Sequence, residues 1–153
     1  MGSEKRQNID VERYATEASL LFSDLKGAKL INECNGLTVL ADSMLRQLFY
    51  NLMDNTLKYG AKTSVIRVYY REEEDKLKLI YEDDGVGIPA EEKSKLFLEG
   101  YGKGTGFGLY LIKRICEGYG WKIQETGKYG EGVQFTMSIP KKARDGKKLY
   151  EIN

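Results

Sequence analysis

Asn51, Asn55 and Lys58 are spaced so that, on a helix turning about 100° per residue, they share one narrow stripe with Tyr59 at its edge. Leu45, Phe49, Leu52, Met53 and Thr56 fall on a different side, the side that suits a core. Amide oxygens are neutral, hard ligands for a magnesium ion that keeps most of its water and leans on phosphate oxygens. A lysine one turn further on neutralises phosphate charge. Alone, this stripe also fits a plain solvated face, but two glycine-rich segments further along turn the reading towards chemistry.

Asp83 ends a run in which Leu77, Leu79 and Tyr81 have its parity, so its carboxylate points to the covered apolar face. A carboxylate there needs hydrogen-bond donors. Asp84 points the opposite way, and Gly85 and Gly87 permit a sharp turn and a close backbone approach. An acceptor at the floor of a pocket suits a planar ligand that offers an amino group, as adenine does. The same Asp-x-Gly-x-Gly pattern equally fits a structural aspartate capping its turn. Downstream, Gly104-Thr105-Gly106-Phe107-Gly108-Leu109 runs straight into a helical pattern. Unhindered amides at a helix start, aided by the dipole, make a phosphate site. No Gly-Lys-Ser/Thr end marks a P-loop, and no strand directly precedes these glycines as a Rossmann fingerprint requires.

The elements that must hold these groups follow from local patterning. Residues 10–25 read as a first helix capped by Asp10. Residues 28–33 and 37–40 are short strands, and Asn35-Gly36 between them signals a hairpin. Asp42 or Ser43 caps the central helix, which runs to Tyr59 and stops at Gly60. Two strands follow, 64–71 and 76–83, joined by a charged loop. Pro89 opens a short helix, residues 109–117 form another, and 121–126 with 132–139 make a last hairpin. Pro140 ends that hairpin. This order predicts an α+β fold, a two-layer sandwich with a largely antiparallel mixed sheet covered on one face by helices. Residues 1–9 are expected to be an expression scar and tail, 10–140 the domain, and 141–153 a basic, mobile tail.

Composition narrows the function. The chain has 153 residues, enough for one domain with a sizeable core. Its net charge of +1 offers no case for nucleic acid as a partner. There is no histidine, which removes histidine-dependent nucleophile systems, histidine zinc sites and any phosphohistidine on this chain. The two cysteines, Cys34 and Cys116, fit buried free thiols in a reducing compartment. No apolar run is long enough to insert in a membrane, so a cytoplasmic location is expected.

In order and spacing, Asn51-x-x-x-Asn55, Asp83-x-Gly85-x-Gly87 and Gly104-Thr105-Gly106-x-Gly108-Leu109 resemble the catalytic ATP-binding domain of sensor histidine kinases. These belong to the GHKL superfamily, with gyrase and MutL. The likeness covers residues 10–140 and implies the Bergerat α/β sandwich, ATP and Mg2+. Carried over, it implies that Asn55 binds magnesium, with Asn51 at the phosphate end. Lys58 resembles the lysine that contacts phosphate, Tyr59 the aromatic beside the nucleotide, and Asp83 the acceptor for the adenine amino group. Gly85 and Gly87 resemble the glycines flanking the base. Gly104, Thr105, Gly106, Phe107, Gly108 and Leu109 match the lid-end segment, and Lys103 is placed to add positive charge. Phe97 resembles a remnant F-box and reads equally as core.

Thr56 stands where the family usually has alanine, and Phe107 where leucine is usual. The lid is short, worded most like archaeal sensor kinases, and residues 98–105 are expected to be mobile until the γ-phosphate orders them. Hydrolysing members of the superfamily carry glutamate at the position of Asn51. A neutral amide is no general base, so Asn51 and Lys58 as catalytic residues point to phosphoryl transfer rather than hydrolysis. The implied partners are ATP, a histidine-bearing dimerisation domain of the parent kinase, and a response regulator. The alternatives are an anti-sigma-type serine/threonine kinase of the same fold and a nucleotide-binding module without transfer.

Overall fold

The computed structural model describes residues 5–100 and 108–153. Its centre is a five-stranded sheet ordered β2-β4-β5-β7-β6, comprising β2 (Lys29–Glu33), β4 (Val65–Glu72), β5 (Lys76–Asp83), β6 (Lys122–Glu125) and β7 (Gln134–Pro140). All neighbours are antiparallel except β2 and β4. Three helices, α1 (Val11–Ser19), α2 (Met44–Tyr59) and α3 (Gly108–Tyr119), complete the helical layer. Leu77, Leu79 and Tyr81 of β5 and Phe135, Met137 and Ile139 of β7 share one buried core with the apolar side of α2 and with Ile112, Ile115 and Cys116 of α3. The expected two-layer α+β sandwich with a mixed sheet is the observed architecture.

The central helix has the expected extent, and of its two expected caps Asp42 is the one that makes the bond. Ser43 makes no side-chain cap bond. The buried Asp42 carboxylate instead takes the Met44 amide at 3.0 Å and the Tyr119 hydroxyl at 2.5 Å. That second bond ties the start of α2 to the end of α3. Burial, and then the bond to Asp42, push the Tyr119 phenol upward.

Helix α1 starts at Asp10 as expected, the carboxylate accepting from the Arg13 amide at 3.4 Å. It stops at Ser19, short of residue 25. Leu20 and Leu21 are 74% and 64% exposed, and the Leu21 and Phe22 amides bond three residues back rather than four. Phe22 stacks on Tyr50, and Leu25 is buried beyond the helix end. The chain passes instead into a 3-10 turn at Leu25–Gly27.

The hairpin expected at Asn35-Gly36 does not form. The turn is there, with Gly36 at φ +86° and the Leu37 amide donating to the Cys34 carbonyl at 3.2 Å. Its two arms go to different sheets. β2 pairs in parallel with β4, and the strand after the turn, β3 (Leu37–Ala41), pairs antiparallel elsewhere. Asn32 fixes this parting, because its amide donates to the Glu12 carbonyl at 2.8 Å and the Thr16 hydroxyl at 2.9 Å on α1.

The strands that take β3 lie in the two segments expected to be tails. β1 (Gln7–Asp10) and β8 (Tyr150–Ile152) flank β3 in a second, three-stranded antiparallel sheet. The folded unit therefore extends beyond residues 10–140 at both ends. Leu149 and Tyr150 are buried, and Arg6 lies 4.9 Å over the Tyr119 ring while donating to the Gly118 carbonyl. At four and three residues, these strands are too short to announce themselves by alternation. Backbone pairing with β3 and a few buried side chains hold them.

Candidate functional site

The polar stripe of α2 stands at the edge of the helical layer, and its members are in different states. Asn51 is half-buried and accepts from the Gln47 amide at 2.8 Å, one turn earlier. Asn55 is also half-buried, yet its Nδ2 is enclosed and has no hydrogen-bond partner among the described residues. A buried amide left unpaired is costly, which marks the position as one that awaits an acceptor. Lys58 is exposed and donates to Asp54 Oδ2 at 2.9 Å across one helical turn. That carboxylate pushes the lysine upward. Tyr59 is 41% exposed at the end of the helix.

Facing the stripe is the first turn of α3. A Cβ built on Gly108 would lie 3.6 Å from Asn55 Nδ2, so the bare glycine backbone comes close to that amide. Leu109 turns inward against the core. Lys103, Gly104, Thr105, Gly106 and Phe107 lie outside the described residues, as does most of the expected lid at 98–105.

Asp83 lies at the end of β5, buried and 7% exposed, on the face shared with Tyr81. Its Oδ1 accepts from the Gly85 amide at 2.9 Å and the Val133 amide at 3.1 Å, and its Oδ2 from the Thr56 hydroxyl at 2.7 Å. The carboxylate thus caps its own turn. Oδ2 takes one hydrogen bond among the described residues and keeps acceptor capacity for a second donor, so the capping and ligand-binding readings are compatible. Asp84 points outward and takes the amides of Ser64 at 2.8 Å and Val65 at 3.0 Å, anchoring the start of β4.

The glycines of this turn are needed for space. A Cβ on Gly85 would lie 2.3 Å from the Gly60 carbonyl oxygen just past α2. Gly87 sits at φ +78° with Gly132 and Lys128 carbonyls against it. Gly132, read from the sequence only as the start of a strand, is tighter still. At φ +112°, its Cβ would be 1.9 Å from the Asp83 carbonyl oxygen.

Sequence reasoning also missed Thr56 and Lys93. Thr56 falls on the core side of α2, where its hydroxyl reaches Asp83 and, at 2.7 Å, the Tyr81 phenol. Lys93, in the 3-10 segment Ala90–Lys95, forms an ion pair at 2.7 Å with Glu125, whose side chain is 1% exposed, and donates to the Gly127 carbonyl at 2.6 Å. Glu125 Oε2 takes the Gly127 and Gln134 amides at 3.1 and 3.0 Å. The pair ties the segment after the Asp83 turn to the β6-β7 hairpin. No local pattern distinguishes either residue from an ordinary helix or surface position. Phe97 packs on the core with its ring edge-on to Phe135, centroids 6.2 Å apart. Among the described residues no cluster of acidic or thiol side chains could hold a metal unaided, so a cation here would lean on amides and on its ligand's phosphates. No described helix is long and apolar enough to cross a membrane.

Known proteins resemble this chain in sequence and in fold. The Aerobic respiration control sensor protein ArcB of Escherichia coli K12 is 38% identical over 106 residues, 62% of this chain and 14% of its own length. The Probable sensor kinase SilS of Salmonella typhimurium is 31% identical over 137 residues, 79% of this chain and 27% of its own. The chain therefore spans less than a third of either relative. Among solved structures, the catalytic domain of histidine kinase ThkA superposes with a TM-score of 0.75 at 25% identity, over 90% of this chain and 98% of that one. Full-length ShkA, crystallised with AMPPNP, shares the fold with a TM-score of 0.78 at 21% identity, over 92% of this chain and 32% of that one. The profile described as Histidine kinase-, DNA gyrase B-, and HSP90-like ATPase matches residues 41–143, from the end of β3 past β7, and this chain belongs to that family as a catalytic ATP-binding domain of the histidine kinase type.

Proposed function

We propose that this domain binds Mg-ATP between α2 and the start of α3 and passes the γ-phosphoryl group to a histidine on a separate dimerisation domain, from which a response regulator would take it. The observation that carries the reading is the enclosed Nδ2 of Asn55, without a hydrogen-bond partner among the described residues, close to the bare backbone of Gly108. An oxygen-rich ligand in that gap gives the Nδ2 an acceptor and leaves Oδ1 for a cation. Neutral amides fit magnesium that retains water and is held mainly by phosphate oxygens. Asn55, with Asn51 beside it, would hold the ion, which when bound offsets charge on the phosphates.

The remaining roles belong to the chain's own residues. Lys58 exchanges Asp54 for phosphate, a swap between two anions on an exposed side chain. Gly104 to Gly108 offer backbone amides, and Lys103 adds charge. Asp83 accepts from the adenine amino group, and Gly85 and Gly87 flank the base, with Tyr59 at the pocket edge. In the transfer the bond from the γ-phosphorus to the bridging oxygen breaks, a bond to the acceptor imidazole nitrogen forms, and ADP leaves. Asn51 cannot deprotonate water, so hydrolysis is not promoted.

The test adds γ-labelled ATP to this chain with and without a histidine-bearing helical domain. The expected result is acid-labile label on the added domain and almost no free phosphate without it. Release of phosphate by the isolated chain near the roughly 10 per second of an ordinary enzyme would overturn the reading. Acid-stable label on serine or threonine would do the same.

A further inference from the structure

Beneath the proposed adenine pocket lies a buried chain of hydroxyls whose hydrogen-bond direction is determined. Asp83 takes the Gly85 and Val133 amides on Oδ1, at 2.9 and 3.1 Å, which fills both lone pairs of that oxygen. On Oδ2 it takes the Thr56 hydroxyl at 2.7 Å. A carboxylate only accepts, so the single hydrogen of Thr56 is committed to Asp83. The contact of 2.7 Å between Thr56 Oγ1 and the Tyr81 hydroxyl must then run from tyrosine to threonine. Tyr81 is fully buried, and burial pushes its phenol upward, so the donor stays protonated. The result is a one-way relay, Tyr81 to Thr56 to Asp83, that leaves one lone pair on Oδ2 for a further donor.

From this relay we infer that Thr56, oriented by Tyr81, is a specificity-determining positioning residue that selects a 6-amino purine over a 6-oxo purine. The inference rests on the reading of Asp83 as the adenine acceptor. With Oδ1 filled and one side of Oδ2 held by Thr56, the carboxylate can neither rotate nor present a donor. A 6-amino group donates to the remaining lone pair. A 6-oxo group sets oxygen against oxygen and is rejected. Without the hydroxyl hydrogen the Oδ2 side of the carboxylate is loose, and its direction towards the base is no longer set. The relay lies on the core side of α2, away from the stripe that carries Asn55, so its loss bears on the base more than on the phosphates.

Calorimetric titration of ATP and ITP into the intact chain tests this, since the two nucleotides have identical phosphates and differ only at the 6-position and the adjoining N1, which accepts in adenine and carries a hydrogen in hypoxanthine. Thr56→Val keeps the shape and removes the hydroxyl, and the expected result is ATP affinity lower by about tenfold, a smaller change for ITP, and hence a reduced ATP-to-ITP ratio. Thr56→Ser, which restores a hydroxyl at the same place, is expected to return the ratio to the wild-type value. If Thr56→Val fails to fold, Tyr81→Phe carries the test. Without the phenol's hydrogen on its oxygen, the Thr56 hydroxyl can turn to the backbone carbonyl one turn back, and the ratio should fall in the same direction. Asp83→Asn separates the two levels of the argument. If it weakens ATP while a folded Thr56→Val, or failing that Tyr81→Phe, keeps the wild-type ratio, the relay is overturned and the adenine reading stands. If Asp83→Asn leaves ATP affinity unchanged, the adenine reading is overturned and the relay's role with it.

Discussion

Asn55→Ala should make the empty domain more stable while destroying its magnesium-dependent affinity for nucleotide. In the empty protein the Asn55 Nδ2 is enclosed and without a partner among the described residues. Such a group costs about 1–3 kcal/mol, which the truncation recovers. Alanine also gains up to about 0.7 kcal/mol in helix propensity in the interior of α2. Against this stands the loss of contacts from a half-buried side chain, each atom pair worth only about 0.1–0.2 kcal/mol. The balance favours alanine by about 1 kcal/mol, a rise in Tm of about 2–4 °C for a domain of this size. With Mg-ATP at a hundred times its dissociation constant, binding should stabilise the wild-type domain by about 2.7 kcal/mol, a further rise of about 5–10 °C. The variant should show none of that further rise. Thermal melts of both proteins, with and without Mg-ATP, give the complete comparison. A variant melting below wild type would mean that the amide serves the fold, and a full Mg-ATP shift in the variant would remove Asn55 from the site.

Other outcomes follow from different parts of the molecule. Gly132→Ala places a methyl group 1.9 Å from the Asp83 carbonyl at φ +112° and should cost more than about 4 kcal/mol in urea unfolding; a near-wild-type midpoint would contradict the close approach. Burial pushes the Cys34 and Cys116 thiols up to about 12, so neither should react with a thiol reagent at pH 8 until denaturant is added, and rapid labelling of the native protein would refute their enclosure. Asp84 is held below the usual carboxylate range; partial burial works against this, but the Ser64 hydroxyl and the Val65 and Ser64 amides outweigh it. A depressed folded value means that its contribution is complete above the unfolded value and is lost as pH falls through the folded one. Asp84→Asn should therefore flatten the acid limb of the stability curve, and an acid limb identical to wild type would refute that.

Local periodicity determined a large part of this protein. Spacing alone places Asn51, Asn55 and Lys58 on one side of α2 and Leu45, Phe49 and Leu52 on another, because a helix imposes its period wherever it forms. Alternation on β5 likewise settles that Asp83 faces inward with Tyr81 and that Asp84 does not. The order of the three glycine and asparagine segments carries the family resemblance, since backbone that must approach a phosphate or turn beneath a base tolerates few other residues. Everything decided by pairing across long sequence distances was left to the tertiary structure. The parallel match of β2 with β4 and the second sheet made from the chain's two ends depend on which edges remain free after the core has closed, and no local pattern encodes that. The same holds for the pocket floor. That the Thr56 hydroxyl would meet a carboxylate 27 residues away, or that Gly132 would press on the carbonyl of Asp83, depends on the packing of α2 and β7 against β5. A threonine on the apolar side of a helix and a glycine before a strand look the same in sequence whichever partner the fold brings to them.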